Sequence, residues 1–131
     1  MVFKSIHTDY GLAAITQAET TGTPINITHM AVGDGNGNEV IPAEDQTTLV
    51  RERYRASVNR VYQDPSDITR FTAELIIPVS EGGFTLREVG VFDDQGSLLV
   101  VGNLPETYKP VDTEGAFADT VVRIEFVVSN A

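Results

Sequence analysis

The stretch "GGFTLREVGVFDDQGSLLVVGNLP", residues 82–105, decides the fold class. Two runs rich in β-branched and aromatic residues, "FTLREVGVF" (84–92) and "SLLVVGNL" (97–104), flank "DDQG", a four-residue turn that ends in glycine. Strand formers on both sides of such a turn predict a β-hairpin.

Working outward, the same period recurs. "TVVRIEFVVSN" (120–130) places Val122, Ile124, Phe126 and Val128 on one face and Arg123 and Glu125 on the other, the pattern of a half-buried strand. The intervening "ETYKPVDTEGAFADT" (106–120) has no periodicity and is expected to be a long loop. Upstream, "FTAELIIPV" (71–79) alternates and carries Pro78 near its end, as a strand would. In "RERYRASVNRVYQ" (51–63), Tyr54, Ala56 and Val58 alternate with Arg53, Arg55, Ser57 and Asn59, so one strand is expected. With the turn cluster "DPSD" (64–67) between them, these two runs predict a hairpin with a long connection. "EDQTTLV" (44–50) suits a single helical turn, and "INITHMAV" (25–32), free of charged residues and apolar on both faces, suits a strand covered on both sides. Only the beginning is helical. In "TDYGLAAITQAETTGTP" (8–24), Thr8 or Asp9 can cap a helix over about residues 9–20, Leu12, Ile15 and Ala18 form its apolar stripe, and Gly22 with Pro24 ends it. The fold class is therefore α+β and mainly β: one N-terminal amphipathic helix, then antiparallel strands and hairpins.

The composition narrows the function. A chain of 131 residues with 41% hydrophobic and 21% charged residues reads as one globular domain, with no internal repeat or low-complexity segment. No cysteine is present, which removes disulfide and thiolate chemistry and agrees with assembly in a reducing cytoplasm. The formal charge of −10, from 19 acidic and 9 basic side chains, disfavours nucleic acid and anionic membrane surfaces as partners. No apolar run approaches the roughly 18 residues of a membrane span, and "MVFKSIHTDYG" lacks the apolar core of a secretory signal.

Catalytic chemistry has little to work with. His7 and His29 are the only histidines. His29 lies mid-strand and reads as a hydrogen-bonded core or interface residue, and His7, before the helix, as an exposed one. Adjacent Asp93 and Asp94 would point to opposite faces of a strand, so they read as turn residues rather than a paired acid and base; a hydrolase built on Asp93 or His29 is the weakest functional class. No nucleophile elbow, phosphate loop, dinucleotide fingerprint or zinc-helix motif occurs, so no catalytic, cofactor or metal residue is assigned. The "DGNGN" of "HMAVGDGNGNEV" (29–40) places Asp34, Asn36 and Asn38 at calcium-loop spacing, but Glu39 stands where the sharp turn needs glycine and Pro42 falls inside the loop. A tight reversal between two β segments is the better reading, with a calcium-dependent or carbohydrate-binding module as the alternative. One surface feature remains: Arg51, Arg53 and Arg55 recur at period two and on a strand would share a face. They form either a solvated edge that blocks aggregation or a docking stripe for carboxylates of a partner.

Several motifs taken together resemble one family. "ITHMAVGDGNG" (27–37), "LVRERYRASVNRV" (49–61), "GGFTLREVGVFDDQGSLLVVGNLPETYKP" (82–110) and "RIEFVVSNA" (123–131), with the "GLAAI" helix, resemble the N-terminal domain of phage tail-collar fibre proteins, the fibres of P2-like contractile phages and R-type pyocins. The resemblance runs over nearly the whole chain in the same order. It implies a structural protein and not an enzyme: residues 1–131 as a single attachment domain that anchors a trimeric fibre to the baseplate through a wedge protein. It implies a place in the virion or tailocin particle, assembled in the cytoplasm of the bacterial host. Typical members continue into a shaft and a receptor-binding tip, which residues 1–131 do not contain.

Overall fold

The structure, a computed structural model, describes residues 5–21, 25–115 and 118–127. Among them the chain runs β1 (Ser5–His7), α1 (Asp9–Thr21), β2 (Ile27–Gly33), β3 (Glu52–Ser57), β4 (Arg60–Asp64), β5 (Asp67–Ile77), β6 (Phe84–Asp93), β7 (Leu98–Lys109) and β8 (Thr120–Val127). Two 3-10 turns, Gly35–Gly37 and Asp112–Glu114, interrupt the connections. All strand pairs are antiparallel. The described strands form a five-stranded sheet ordered β1-β7-β6-β2-β3 and a three-stranded sheet ordered β4-β5-β8.

The two sheets pack face to face. Met30, Val32, Val89, Val91 and Val100 of the larger sheet meet Ala73, Leu75, Ile77, Val122, Ile124 and Phe126 of the smaller one. Each large side chain withdrawn from water in this way contributes about 1.5–3 kcal/mol. A second, smaller cluster of Ala31, Leu49, Phe92, Leu98 and Val101 covers the other face of the large sheet. β2 is consequently covered on both sides: Met30, Ala31 and Val32 are fully buried.

The hairpin of β6 and β7 forms as expected. Its turn is closed by Asp93 Oδ1, which accepts from the Gln95 and Ser97 backbone N–H groups at 3.0 and 2.9 Å. β7 runs further than the sequence predicts, through residues 106–109 of the expected loop. Phe84 pairs with Lys109 and Thr85 with Tyr108, so the ladder itself keeps this segment extended. Residues 105–108 are all exposed, which erases the alternation that would announce a strand. Lys109 is buried at its end, and its Nζ donates to the carbonyls of Glu81 and Pro110, both at 2.8 Å.

The run 51–63 is not one strand. Val58 N donates to Thr28 O at 3.0 Å, while Asn59 N donates to Glu74 O at 2.7 Å. Two successive amides thus bond to different sheets, and the chain turns the corner of the sandwich there. The following hairpin of β4 and β5 has a tight connection rather than a long one, because Asp64 Oδ1 accepts from both the N–H and the hydroxyl of Ser66 at 2.8 Å. Residues 44–50 form a turn and bends, not a helical turn. In β8 the expected face is buried, with Val122, Ile124 and Phe126 each at most 6% exposed. Val128 lies outside the described residues.

Helix α1 is capped by Thr8, whose Oγ1 accepts from Gly11 N at 3.0 Å and donates to Leu98 O at 2.6 Å. The face it turns inward keeps Ile15 of the predicted stripe but not Leu12. Gly11 and Ile15 are buried and Ala14 is half-buried, whereas Leu12 is 47% exposed. Gly11 sets this orientation, since a Cβ there would overlap the carbonyl of Leu99 on β7. The side chain of Ala18 and the expected stop at Gly22 and Pro24 lie outside the described residues. His7 belongs to β1 instead of an exposed lead-in to the helix. β1 pairs with β7 by its backbone and reaches the other sheet with its side chains. Ser5 Oγ donates to Glu125 O at 2.6 Å, His7 Nε2 to Val127 O at 2.5 Å, and the His7 ring stands edge-on to Phe126.

Candidate functional site

β2 and β3 are neighbours in register, Gly33 opposite Glu52, yet the chain between them makes a long excursion over residues 34–51. The "DGNGN" stretch opens this loop and is not a tight hairpin. Asp34 Oδ1 accepts from Asn36 N at 2.9 Å, and Gly35, Asn36 and Gly37 take φ values of 63°, 56° and 85°, a left-handed run that glycine and asparagine tolerate.

Both ends of the loop converge on one buried carboxylate. Glu88 of β6 is fully buried and accepts from the backbone N–H groups of Gly35 (3.1 Å), Val50 (2.7 Å) and Arg51 (2.8 Å). Its neighbour Arg87 donates from one side of its guanidinium to Asp34 O at 2.9 Å and from the other to Glu106 Oε1 at 2.9 and 2.6 Å. Consecutive strand residues normally face opposite ways. Here the β6–β7 register shifts between Leu86 and Glu88, and the inward set changes from Phe84 and Leu86 to Val89 and Val91. That irregularity lets both charged residues address the same loop.

The three arginines singled out by the sequence lie along this loop's exit. Arg53 and Arg55 are on β3, and Arg51 precedes it. Arg53 donates to Asp34 Oδ2 at 2.8 Å, with Arg51 Nε 3.7 Å from the same atom. Arg51 also donates to Asn36 Oδ1 at 3.3 Å. Arg55 makes a bidentate pair with Glu52, at 3.1 and 2.8 Å, and lies over the Phe92 ring at 3.8 Å. Burial works to raise the Asp34 pKa, but the Asn36 N–H, the Arg53 bond and the nearby Arg51 outweigh it and hold the carboxyl below its ordinary value. The oxygens that a calcium ion would need are thus already engaged, Asp34 Oδ2 and Asn36 Oδ1 by guanidinium groups and Asp34 Oδ1 by the Asn36 N–H. Among the described residues no group of three or more histidine, aspartate or glutamate side chains is placed to hold a metal.

The other sequence candidates are separate from this site. Asp93 closes a turn, and Asp94 accepts from Asn26 Nδ2 at 3.3 Å. His29 is half-buried and paired with Thr28 Oγ1 at 2.8 Å. Across the three-stranded sheet, Glu74 takes Asn59, Arg123 and Arg60, and the Asn59 bond leads the effects that keep its pKa low. All seven arginines of the chain have a carboxylate within 4 Å. Sequence reasoning missed Glu88 and Arg87. The available signal was parity: Glu88 shares it with Phe84, Leu86, Gly90 and Phe92, so it is an acid in an otherwise apolar set.

These features define a class first: a two-layer antiparallel β-sandwich whose polar groups hold backbone and one another. The chain belongs to the phage tail-collar fibre family. The family model for the N-terminal part of phage tail-collar fibre proteins matches residues 1–131. The chain is also 39% identical over 129 residues to a protein of Escherichia phage P2 described as a probable tail fibre protein. That match covers 98% of the chain and 19% of the relative, so the chain spans about a fifth of the relative's length. No solved structure matches.

Proposed function

We propose that residues 1–131 form the attachment domain of a tail fibre and anchor it to the baseplate of a contractile phage tail or tailocin. The observation that carries this reading is the family match, which spans the whole chain and corresponds to the N-terminal part of longer fibre proteins. The P2 relative, itself named as a tail fibre protein, extends well beyond the matched segment and leaves room for a shaft and a receptor-binding tip outside it. The role is structural, with no catalytic step, and the partner is a wedge protein of the baseplate. The fibre is a trimer assembled in the host cytoplasm.

Arg51, Arg53 and Arg55 supply one part of the contact. Each already has an internal carboxylate, but the Arg51 side chain is 52% exposed and can take a second one from a partner. A calcium-dependent or carbohydrate-binding role draws no support from the same loop, because its oxygens face arginines. The test is to mix the chain with the baseplate wedge protein of its own particle and follow co-elution. A stable complex is expected. Separate elution of two folded proteins would overturn the reading.

A further inference from the structure

The loop 34–51 presents one side chain in an unusual way. Ile41 is 82% exposed, while Val40 on one side of it is 3% exposed and Pro42 on the other is buried. The exposure does not come from a loose segment. Asn103 Nδ2 donates to Val40 O at 3.2 Å, Ala43 N to Gln46 Oε1 at 2.9 Å, and Asp9 N at the start of α1 to Glu44 O at 2.7 Å. Glu88 holds both ends of the loop. The backbone is thus fixed before and after Ile41, and the side chain is held out in water.

The charge around it is one-sided. Glu39, Glu44 and Asp45 are exposed, and among the described residues none of the three carboxylates forms an ion pair. The arginines, by contrast, all have carboxylate partners within the chain. We infer that Ile41 is the apolar anchor of the docking surface, and that its partner is a protein face with a small apolar pocket rimmed by lysine or arginine. A rigid knob loses little conformational freedom on insertion, and an ordered apolar anchor inside a charged rim is the arrangement that concentrates binding energy. This inference rests on the attachment reading and assigns a face to it.

The experiment compares the unaltered chain with Ile41→Ser and with a Glu39→Lys, Glu44→Lys, Asp45→Lys triple variant, titrated against the purified wedge protein. Thermal melts and sedimentation are run on each. Ile41→Ser is expected to weaken binding tenfold or more and leave the melting temperature unchanged. The triple variant is expected to weaken it at low salt and less at high salt. Equal affinity of Ile41→Ser and the unaltered chain would overturn the inference and leave the attachment reading standing. No binding by the unaltered chain would overturn both. Concentration-dependent self-association that Ile41→Ser abolishes would show a second copy to be the occupant, and would also overturn it.

Discussion

Glu88 shows how much one carboxylate can organise. It satisfies three backbone donors that come from opposite ends of a loop, one of them, Gly35 N, buried and the other two partly buried. In Glu88→Gln one acceptor oxygen becomes an amide donor that faces an N–H group. The expected cost is about 2–3 kcal/mol in urea unfolding, large for an isosteric change. Asp34 carries a pH signature instead. Its carboxyl titrates below its ordinary value of 3.8 in the fold, so its contribution is complete above that value and is lost as the pH falls through the lower, folded one. Urea midpoints taken from pH 6 down to pH 2 should fall on the acid side, and Asp34→Asn should flatten that limb. Beyond the parity of Glu88 with its apolar neighbours, neither role is visible in local sequence. Glu88 stands in a strand where a lone acid reads as solvent-facing, and Asp34 reads as a turn former, which it also is.

Among the elements, the sequence is legible where partners are adjacent in the chain. The β6–β7 hairpin and the buried face of β8 follow from alternation and turn chemistry. The corner at Val58 and Asn59 does not, because alternation runs right up to it and only Thr28 O and Glu74 O, on different sheets, divide the run. The end of β7 escaped for a different reason: Lys109, Tyr108 and Thr107 pair with β6 beyond a register shift, but residues 105–108 show no alternation. Spacing alone placed Ile15 correctly on the inward face of α1 but Leu12 wrongly, since what fixes the face is the approach of Gly11 to the Leu99 carbonyl. That contact makes a testable sign. Intrinsic propensity favours Gly11→Ala by about 1 kcal/mol in a helix. Steric overlap with β7 should reverse this and give a net loss of about 1–3 kcal/mol in thermal or urea unfolding.

For the molecule as a whole, the net charge of −10 is not spread evenly over its interactions. Every arginine has a carboxylate partner within the chain, Arg51 remaining half exposed and open to a second one, and the surplus carboxylates are left to water or to a partner. Reversal of Arg51, Arg53 and Arg55 to glutamate should therefore act in two ways: loss of contact with the wedge protein and loss of the Asp34 and Glu52 pairs. A single reversal at Arg51 should weaken association modestly, and the triple one considerably more, with a steeper effect at low salt. A melt recorded beside each titration separates the two losses, since Arg53 is the member whose removal strips Asp34 of its 2.8 Å partner. Unchanged association in the triple variant would make the stripe a solvated edge.

The stitching of β1 to β8 has a mechanical consequence. β8 lies antiparallel to β5 over eight matched positions, from Arg70 opposite Val127 to Ile77 opposite Thr120. A pull along the strand from its far end loads those rungs together, in shear, rather than opening them one at a time. Ser5 and His7 grip the last two outward carbonyls at that same end, from the side that β5 leaves open. Under tension the strand is held from both flanks, like a tongue in a groove.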